Sequence, residues 1–162
     1  TENLIYRCVA QAMQVKLNNR AINNIIADIR PGTHKGEERT PMFLKLYEGP
    51  LTGGAYQRNI FYQPGKDVVF YQETKNFRTP VGAVAKDADT DHNIYFCAGN
   101  PTLGKKCLAQ RQHEGVDKHS IADDPLFVDP KNGDFRFQTN SPAIKLGIKP
   151  FDLSRAGLLK EK

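Results

Sequence analysis

The sequence predicts an all-β solenoid in which short strands stack as repeating units. Two interleaved series of strand-like segments support this prediction. The first series is a motif of asparagine, a branched aliphatic residue and two apolar or aromatic residues. The motif begins at Asn3, Asn24, Asn59 and Asn93, at spacings of 21, 35 and 34 residues. Internal repeats with periods of about 20 to 50 residues are typical of stacked architectures.

The second series consists of three strand-like segments, and in the first two of them apolar residues alternate cleanly with others. These segments cover residues 12–17, 42–47 and 67–72, and each follows an asparagine motif. A period of two is typical of a half-buried strand. Each predicted unit therefore contains an asparagine strand, a loop, an alternating strand and a second loop.

The repeated asparagines have a physical role at the bend into each strand. An asparagine amide can bond the backbone of its own turn, and the residue tolerates a left-handed backbone. Stacked in register, such amides would form a ladder of hydrogen bonds between successive units. The alternative, four unrelated strands that begin with asparagine by chance, stays open at this level.

Length and composition limit the class of protein. A chain of 162 residues suits a single domain, and a hydrophobic content of 39% is enough for a core. No segment approaches the roughly 20 apolar residues that span a membrane. The 23 Lys and Arg residues are interspersed with 18 Asp and Glu residues, for a net charge of +5. We therefore expect neither a nucleic acid nor a membrane as partner, and at most weak attraction to acidic glycans.

The start of the chain carries no segment that would cap the first predicted unit. It opens on Thr1-Glu2-Asn3, already at the edge of the first repeat. Solenoids need terminal caps that shield the end of their core. We therefore expect a C-terminal piece of a longer protein, or a companion segment or second copy of the chain that covers this end.

The long loops and the cysteines leave several possibilities open. Residues 29–41 form a charged loop that would shape one wall of a groove or serve only as a solvated connector. Cys97 and Cys107 either pair across their loop or remain thiols. Cys8 is expected to be a buried thiol.

The acidic and histidine residues do not match a metal-binding motif. Asp87, Asp89 and Asp91 alternate in one loop, but the glycine and glutamate of a calcium-binding loop are missing. His113 and His119 have the spacing of neither a zinc finger nor a helical metal-binding pair. We expect no metal ion and no other cofactor.

The last part of the chain predicts a C-terminal cap. Two apolar segments, residues 126–128 and 135–137, flank a turn that contains Asn132-Gly133. Ser141-Pro142 predicts the start of a short helix, which Gly147 would end. Residues 1–122 are therefore interpreted as the repeated units, and residues 123–162 as a capping segment of the same domain.

Four segments together resemble a known superfamily. They are Asp124-Pro125-Leu126-Phe127-Val128-Asp129-Pro130, Gly133-Asp134-Phe135-Arg136, Ser141-Pro142-Ala143-Ile144 and Asp91-His92-Asn93-Ile94-Tyr95-Phe96. This series resembles the C-terminal end of right-handed parallel β-helix proteins of the pectate-lyase-like superfamily. That superfamily includes many secreted bacterial glycoside hydrolases, polysaccharide lyases and carbohydrate-binding modules.

The resemblance implies a fold, a location and a partner. The fold would be a right-handed parallel β-helix of about four to five coils with a C-terminal cap. The location would be secreted or periplasmic, and the partner a poly- or oligosaccharide. Fold alone does not determine chemistry, so the activity has to come from the site.

The outward face of the alternating strands is the candidate carbohydrate-binding surface. Aromatic rings cover the apolar faces of sugars, while polar side chains bind the hydroxyl groups. The third strand is ambiguous, because either Tyr71 or Gln72 would point outward. The predicted carbohydrate-binding residues are Gln14, Lys16, Phe43, Lys45, Tyr47 and Tyr71. An ordinary solvated surface is the alternative interpretation.

Glu48 and Glu73 are the best catalytic pair for a glycoside hydrolase, which needs two carboxylates across the scissile bond. They end successive alternating strands. Asp87, Asp89 and Asp91 are a reserve set of acids. A polysaccharide lyase would instead use Lys16 or Lys45 as its base.

Three functions are compatible with these observations. The first is the C-terminal portion of a secreted glycoside hydrolase, and the second is a non-catalytic module that binds carbohydrate. The third is an assembly module whose open first unit is completed by another chain, because an open strand edge is a template for pairing.

Overall fold

The computed structural model describes residues 1–16, 18–47, 51–74 and 88–150. Within these ranges the chain forms fourteen strands and two α-helices, and a short 3₁₀ turn joins the last two strands. The first seven strands are β1 (Leu4–Tyr6), β2 (Gln11–Val15), β3 (Arg20–Ile22), β4 (Ile25–Ala27), β5 (Gly32–His34), β6 (Glu37–Arg39) and β7 (Met42–Tyr47). The next five are β8 (Ala55–Gln57), β9 (Ile60–Gln63), β10 (Val69–Thr74), β11 (Asp89–Asp91) and β12 (Ile94–Cys97). The remaining elements are α1 (Pro101–His113), β13 (Phe127–Asp129), β14 (Asp134–Phe137) and α2 (Pro142–Lys145).

The strands form three parallel sheets and two antiparallel pairs. The parallel sheets have the orders β1-β4-β9-β12, β10-β7-β2 and β11-β8-β3. Strands of one sheet are separated in the sequence by strands of the other two. The antiparallel pairs are the β5–β6 hairpin and β13–β14.

The four asparagine motifs place their strands side by side in the first sheet. Leu4 pairs with Ile25, Ile25 with Ile60, and Ile60 with Ile94. The asparagine in front of each strand also bonds the asparagine of the neighbouring strand, as described below. The predicted ladder of asparagine amides is therefore confirmed.

The prediction of a right-handed parallel β-helix with four to five coils is wrong, and so is the resemblance to the pectate-lyase-like superfamily. The described residues form five separate small sheets, two of them antiparallel, and no solenoid or closed sheet. The physical reason is that a repeated strand motif specifies how neighbouring strands pair. It does not specify whether separate sheets join into one continuous coil.

The core consists of two hydrophobic clusters on either side of the four-stranded sheet. One cluster contains Ile26 and Phe61 and is covered by residues of the three-stranded sheet β10-β7-β2. The other contains Ile25 and Ile60 and is covered by residues of the C-terminal segment, such as Phe127. Successive residues of β4 and β9 thus face opposite clusters, so both faces of this sheet are buried.

The C-terminal segment covers one face of the four-stranded sheet, where Phe127, Phe135 and Ile148 belong to the second hydrophobic cluster. Its role as a capping segment of the same domain stays a prediction. The local predictions in this segment are confirmed. The Ser141 hydroxyl accepts a hydrogen bond from the Ala143 backbone N–H at the start of α2, and Gly133 has a left-handed φ of 84° at its turn.

Helix α1 was not predicted from the sequence, and it packs against β12. Leu103, Cys107 and Leu108 of α1 contact the first hydrophobic cluster. The backbone of Gly104 lies directly against the carbonyl of Tyr95, where no β-carbon would fit. Residues 101–113 thus cover the last strand of the parallel sheet.

The three cysteines, Cys8, Cys97 and Cys107, are free thiols. Of the two alternatives for Cys97 and Cys107, the structure therefore shows unpaired thiols and no disulfide between them. The Cys97 thiol donates to the backbone carbonyl of Gly65 at 3.0 Å, so it contributes to the packing between the turn after β9 and the end of β12.

Candidate functional site

Two of the predicted carbohydrate-binding residues, Gln14 and Lys45, lie in a polar row on the three-stranded sheet. Gln14, Lys45 and Gln72 are neighbours in register on β2, β7 and β10. Gln14 and Gln72 are exposed and Lys45 is half-buried. Lys16 is exposed just after the end of β2. Because neighbouring strands lie about 4.8 Å apart, the three strand residues form a continuous polar row.

The aromatic residues predicted for this surface do not join the row. Phe43 is fully buried, with its ring 5.3 Å from that of Phe70, so the expectation that it points outward is wrong. Tyr71 lies in register with Leu44, one position away from the polar row, and its hydroxyl is 2.7 Å from that of Tyr95. The reason is that Phe43 and Leu44 are both buried, which a strict inward and outward alternation does not allow.

The described part of the structure does not include the carboxylates of the predicted catalytic pair, Glu48 and Glu73, and so does not define the distance between them. Glu48 and Asp87 lie outside the described residues. Glu73 is paired with Leu46 in the backbone of the sheet, but its side chain lies outside the described part, as does that of Tyr47. The Asp89 carboxylate accepts a hydrogen bond from the Gln57 amide at 2.6 Å.

A polar pocket of about 460 Å³ lies between the β5–β6 hairpin and the turn after β9. We call it the hairpin pocket. Its lining residues are Pro31, Glu38, Arg39, Thr40, Pro41, Gln63, Gly65, Lys66 and Asp67. The hairpin belongs to the charged segment 29–41, which was expected either to shape the wall of a groove or to act as a connector. Its residues line this pocket.

The root of the hairpin is fixed by one glutamine. The Gln63 amide accepts from the Ile29 backbone N–H at 3.0 Å and donates to the Ile29 carbonyl at 2.9 Å. Both residues are buried, so these bonds are shielded from water. The wall that carries Glu38 and Arg39 is thereby attached to β9, and the pocket has a fixed base.

A buried polar network lies at the far end of the asparagine ladder. Asp117 is fully buried, and its Oδ1 accepts from the Asn93 amide, the Tyr95 hydroxyl and the Ser120 hydroxyl at 2.6 to 3.0 Å. Burial raises the pKa of Asp117 despite these hydrogen bonds. Burial also raises the pKa of the Tyr95 hydroxyl well above its ordinary value. Since the network is closed to solvent, it ends the ladder rather than forming a reactive site.

Three groups that can hold a metal ion meet at the end of β11. The ligand atoms of Asp91, His92 and His119 all lie within 4.8 Å of one another. Burial acts to raise the pKa of Asp91, but hydrogen bonds from His119 and His92 outweigh it and lower the pKa overall. We call these three residues the Asp–His cluster.

Sequence reasoning indicated residues 29–41 as a possible groove wall without locating the hairpin pocket, and it missed the Asp–His cluster. His92 and His119 are 27 positions apart, so no local spacing rule detects them. Helix α1 and the turn after it bring His119 back to the residue that follows β11. The one available signal was Asp91-His92, directly in front of the fourth ladder asparagine.

Comparisons of the chain with family models, with curated proteins and with solved structures gave no match. In the described ranges of the chain, no helix is both long enough and apolar enough to cross a membrane. The function therefore has to be argued from the geometry of the described surface.

Proposed function

We propose that this protein is polysaccharide-active and binds a poly- or oligosaccharide in the hairpin pocket. The single observation that carries the proposal is the pocket itself, which gathers carboxylate, guanidinium, ammonium and amide groups around about 460 Å³. Pockets of roughly 300 to 1,000 Å³ are the usual size for small ligands. Hydroxyl groups of a sugar both donate and accept, so they can satisfy all of these groups at once.

The charges of the pocket favour an uncharged ligand. Glu38 and Asp67 are acidic, while Arg39 and Lys66 are basic, so the lining charges balance. A balanced lining does not concentrate a polyanion in the way that a cleft of one sign does. Pro31 and Pro41 add apolar surface, against which the C–H groups of a sugar ring can pack.

Binding is tested by calorimetric titration of the intact protein with neutral oligosaccharides, chosen from a glycan-array screen. Arg39→Ala and Asp67→Ala should each weaken binding at least 10-fold, since each removes a group that bonds hydroxyls. Lys105→Ala changes an exposed residue of α1 and serves as the matched control. If no neutral glycan binds, or if the pocket variants bind as tightly as Lys105→Ala, the proposal is wrong.

Hydrolysis is a second candidate function, because two carboxylates, Glu38 and Asp67, line the same pocket. A glycoside hydrolase needs such a pair, one as general acid and one as base or nucleophile. With a glycan that binds, Glu38→Gln and Asp67→Asn should lower the release of reducing ends by about 10²- to 10⁴-fold. Binding without any release of reducing ends would rule out hydrolysis, and carbohydrate binding would remain as the proposed function.

A secreted or periplasmic location and a companion chain stay predictions. β1, β2 and β3 each lie at an edge of their parallel sheets, which is compatible with a companion strand at that end.

A further inference from the structure

We propose that Asp91, His92 and His119 form a binding site for a divalent transition-metal ion such as Zn²⁺. This site is additional to the carbohydrate-binding function and shares no residue with the hairpin pocket. The three residues supply two imidazole nitrogens and one carboxylate oxygen, a donor set that is typical of zinc sites with an open position.

The distances between the ligand atoms fit a small ion. Asp91 Oδ2 lies 2.6 Å from His119 Nδ1 and 3.6 Å from His92 Nδ1. Bonds of about 2.0 to 2.1 Å in a tetrahedral site place ligand atoms roughly 3.4 Å apart. The Asp91–His92 distance already matches this value, and His119 has to move outward by less than about 1 Å. The His119 side chain is 68% exposed, so most of its surface faces solvent and leaves room for this movement.

The carboxylate of Asp91 is held in place by its other oxygen. Asp91 Oδ1 accepts hydrogen bonds from the backbone N–H groups of His92 at 2.8 Å and His119 at 2.7 Å. Oδ2 is therefore directed at the two imidazoles. Hydrogen bonds of this kind orient metal ligands and raise the affinity of a site.

The position of His119 is fixed by the buried network on which its loop rests. The neighbouring Ser120 hydroxyl accepts from the Asn93 backbone N–H at 2.8 Å and donates to Asp117. The Asp117 backbone N–H bonds the Thr90 carbonyl of β11 at 2.8 Å. The loop between α1 and β13 is thereby attached to the strand that carries Asp91.

The hydrogen bond between His119 and Asp91 does not explain why the His92 ring also faces the same carboxylate oxygen. The His92 and His119 rings are stacked with their centroids 5.1 Å apart and an angle of 24° between their planes. Both Nδ1 atoms approach one carboxylate oxygen, yet the His92 distance of 3.6 Å is too long for a hydrogen bond. A single cation between the three atoms uses both imidazoles.

The donor set also selects the kind of metal. Imidazole nitrogens suit Zn²⁺, Cu²⁺ and Ni²⁺, whereas Ca²⁺ and Mg²⁺ prefer oxygen ligands. Three protein ligands leave at least one position for water or another ligand. We therefore expect an accessible transition-metal site and no comparable affinity for Ca²⁺ or Mg²⁺.

Calorimetric titration of the intact protein with ZnCl₂ tests the proposal. We expect one equivalent of Zn²⁺ per chain, and His92→Ala and His119→Ala should each lower the affinity at least 10-fold. His113→Ala, at the exposed end of α1, is the matched control and should bind like the parent protein. Substoichiometric binding, or an equal loss of affinity in His113→Ala, would overturn the proposal.

A second readout separates loss of a ligand from loss of structure. In ¹H–¹⁵N spectra of the imidazoles, Zn²⁺ should shift the resonances of His92 and His119 and leave those of His113 unchanged. Asp91→Asn keeps an Oδ1 acceptor for the two backbone N–H groups but removes the charged ligand. This variant should remain folded by circular dichroism and bind Zn²⁺ at least 10-fold more weakly. Shifts at His113 alone, or unchanged affinity in Asp91→Asn, would show that the cluster is not the site.

Discussion

At the scale of single residues, the asparagine ladder is the feature that connects the sequence most directly to the structure. Asn59 is fully buried, and its Oδ1 accepts from the Asn24 backbone N–H at 3.1 Å and side-chain amide at 2.8 Å. Its own amide donates to the carbonyl of Ala21 at 2.8 Å and to Asn93 Oδ1 at 3.1 Å. One side chain thus satisfies polar groups from three neighbouring segments, which few residue types can do.

Asn59→Ala should therefore destabilise the protein by about 3 kcal/mol, because each buried polar group left without a partner costs about 1 to 3 kcal/mol. Asn3→Ala, at the exposed end of the same ladder, should cost less than about 1 kcal/mol. Urea denaturation of both variants gives the two free energies of unfolding. If both variants lost the same free energy of unfolding, the contribution of a ladder asparagine to stability would not depend on its burial.

Asp117 makes the stability depend on pH in an unusual direction. Burial raises the pKa of Asp117 in the folded state above its ordinary value of 3.8, so the folded protein holds this proton more tightly than the unfolded chain. The contribution of Asp117 to stability should then fall as the pH rises from about 3.8 through the raised pKa. Relative to Asp117→Asn, the parent protein should lose stability over that range in pH-dependent urea denaturation.

Asp134 provides the opposite case and a control. The hydrogen bond from Arg136 lowers the pKa of Asp134 to about 2. The contribution of Asp134 to stability is fully present when the pH is above the ordinary pKa of 3.8, and it is lost as the pH falls toward about 2. Asp134→Asn should therefore differ most from the parent protein above pH 3.8, and least at about pH 2. A parent protein that gains stability over Asp117→Asn as the pH rises would contradict the role assigned to Asp117.

At the scale of elements, the sequence predicted strands better than helices or sites. The alternation in residues 42–47 and the asparagine motifs are local patterns, and β4, β7, β9 and β12 follow them closely. Helix α1 was missed because it has few apolar residues and no clear amphipathic face, so its helical state depends on packing against β12. The burial of Phe43 was missed for a related reason, since tertiary contacts override the alternation there.

Gly104 shows how closely α1 approaches β12. Alanine normally stabilises the interior of a helix by about 1 kcal/mol relative to glycine. At position 104 its β-carbon would meet the Tyr95 carbonyl, so Gly104→Ala should instead cost about 1 to 3 kcal/mol. Lys105→Ala, on the exposed side of the same turn, should change stability by less than about 0.5 kcal/mol. A stabilising Gly104→Ala, measured by urea denaturation, would mean that α1 does not pack at this distance.

At the scale of the whole molecule, the four-stranded sheet joins the two hydrophobic clusters. The sequence predicted the strands of this sheet and the turns of the C-terminal segment, but not that the segment covers a face of the sheet. That arrangement depends on contacts such as Phe135 with Tyr6, whose ring centroids are 5.0 Å apart across more than 100 positions of sequence. For the same reason the Asp–His cluster was not predictable, because His119 meets Asp91 and His92 only through folding.

The shared sheet predicts that the C-terminal segment and the parallel sheets unfold together. Phe135 is 5% exposed, and Phe135→Ala should destabilise the protein by about 3 to 5 kcal/mol through the cavity that it leaves. Hydrogen exchange followed by mass spectrometry should then show a loss of protection in β4 and β9 as well as in β13 and β14. Val128→Ala is the control, since Val128 is 46% exposed on β13. Loss of protection confined to residues 123–150 in the Phe135 variant would mean that this segment folds separately from the sheet it covers.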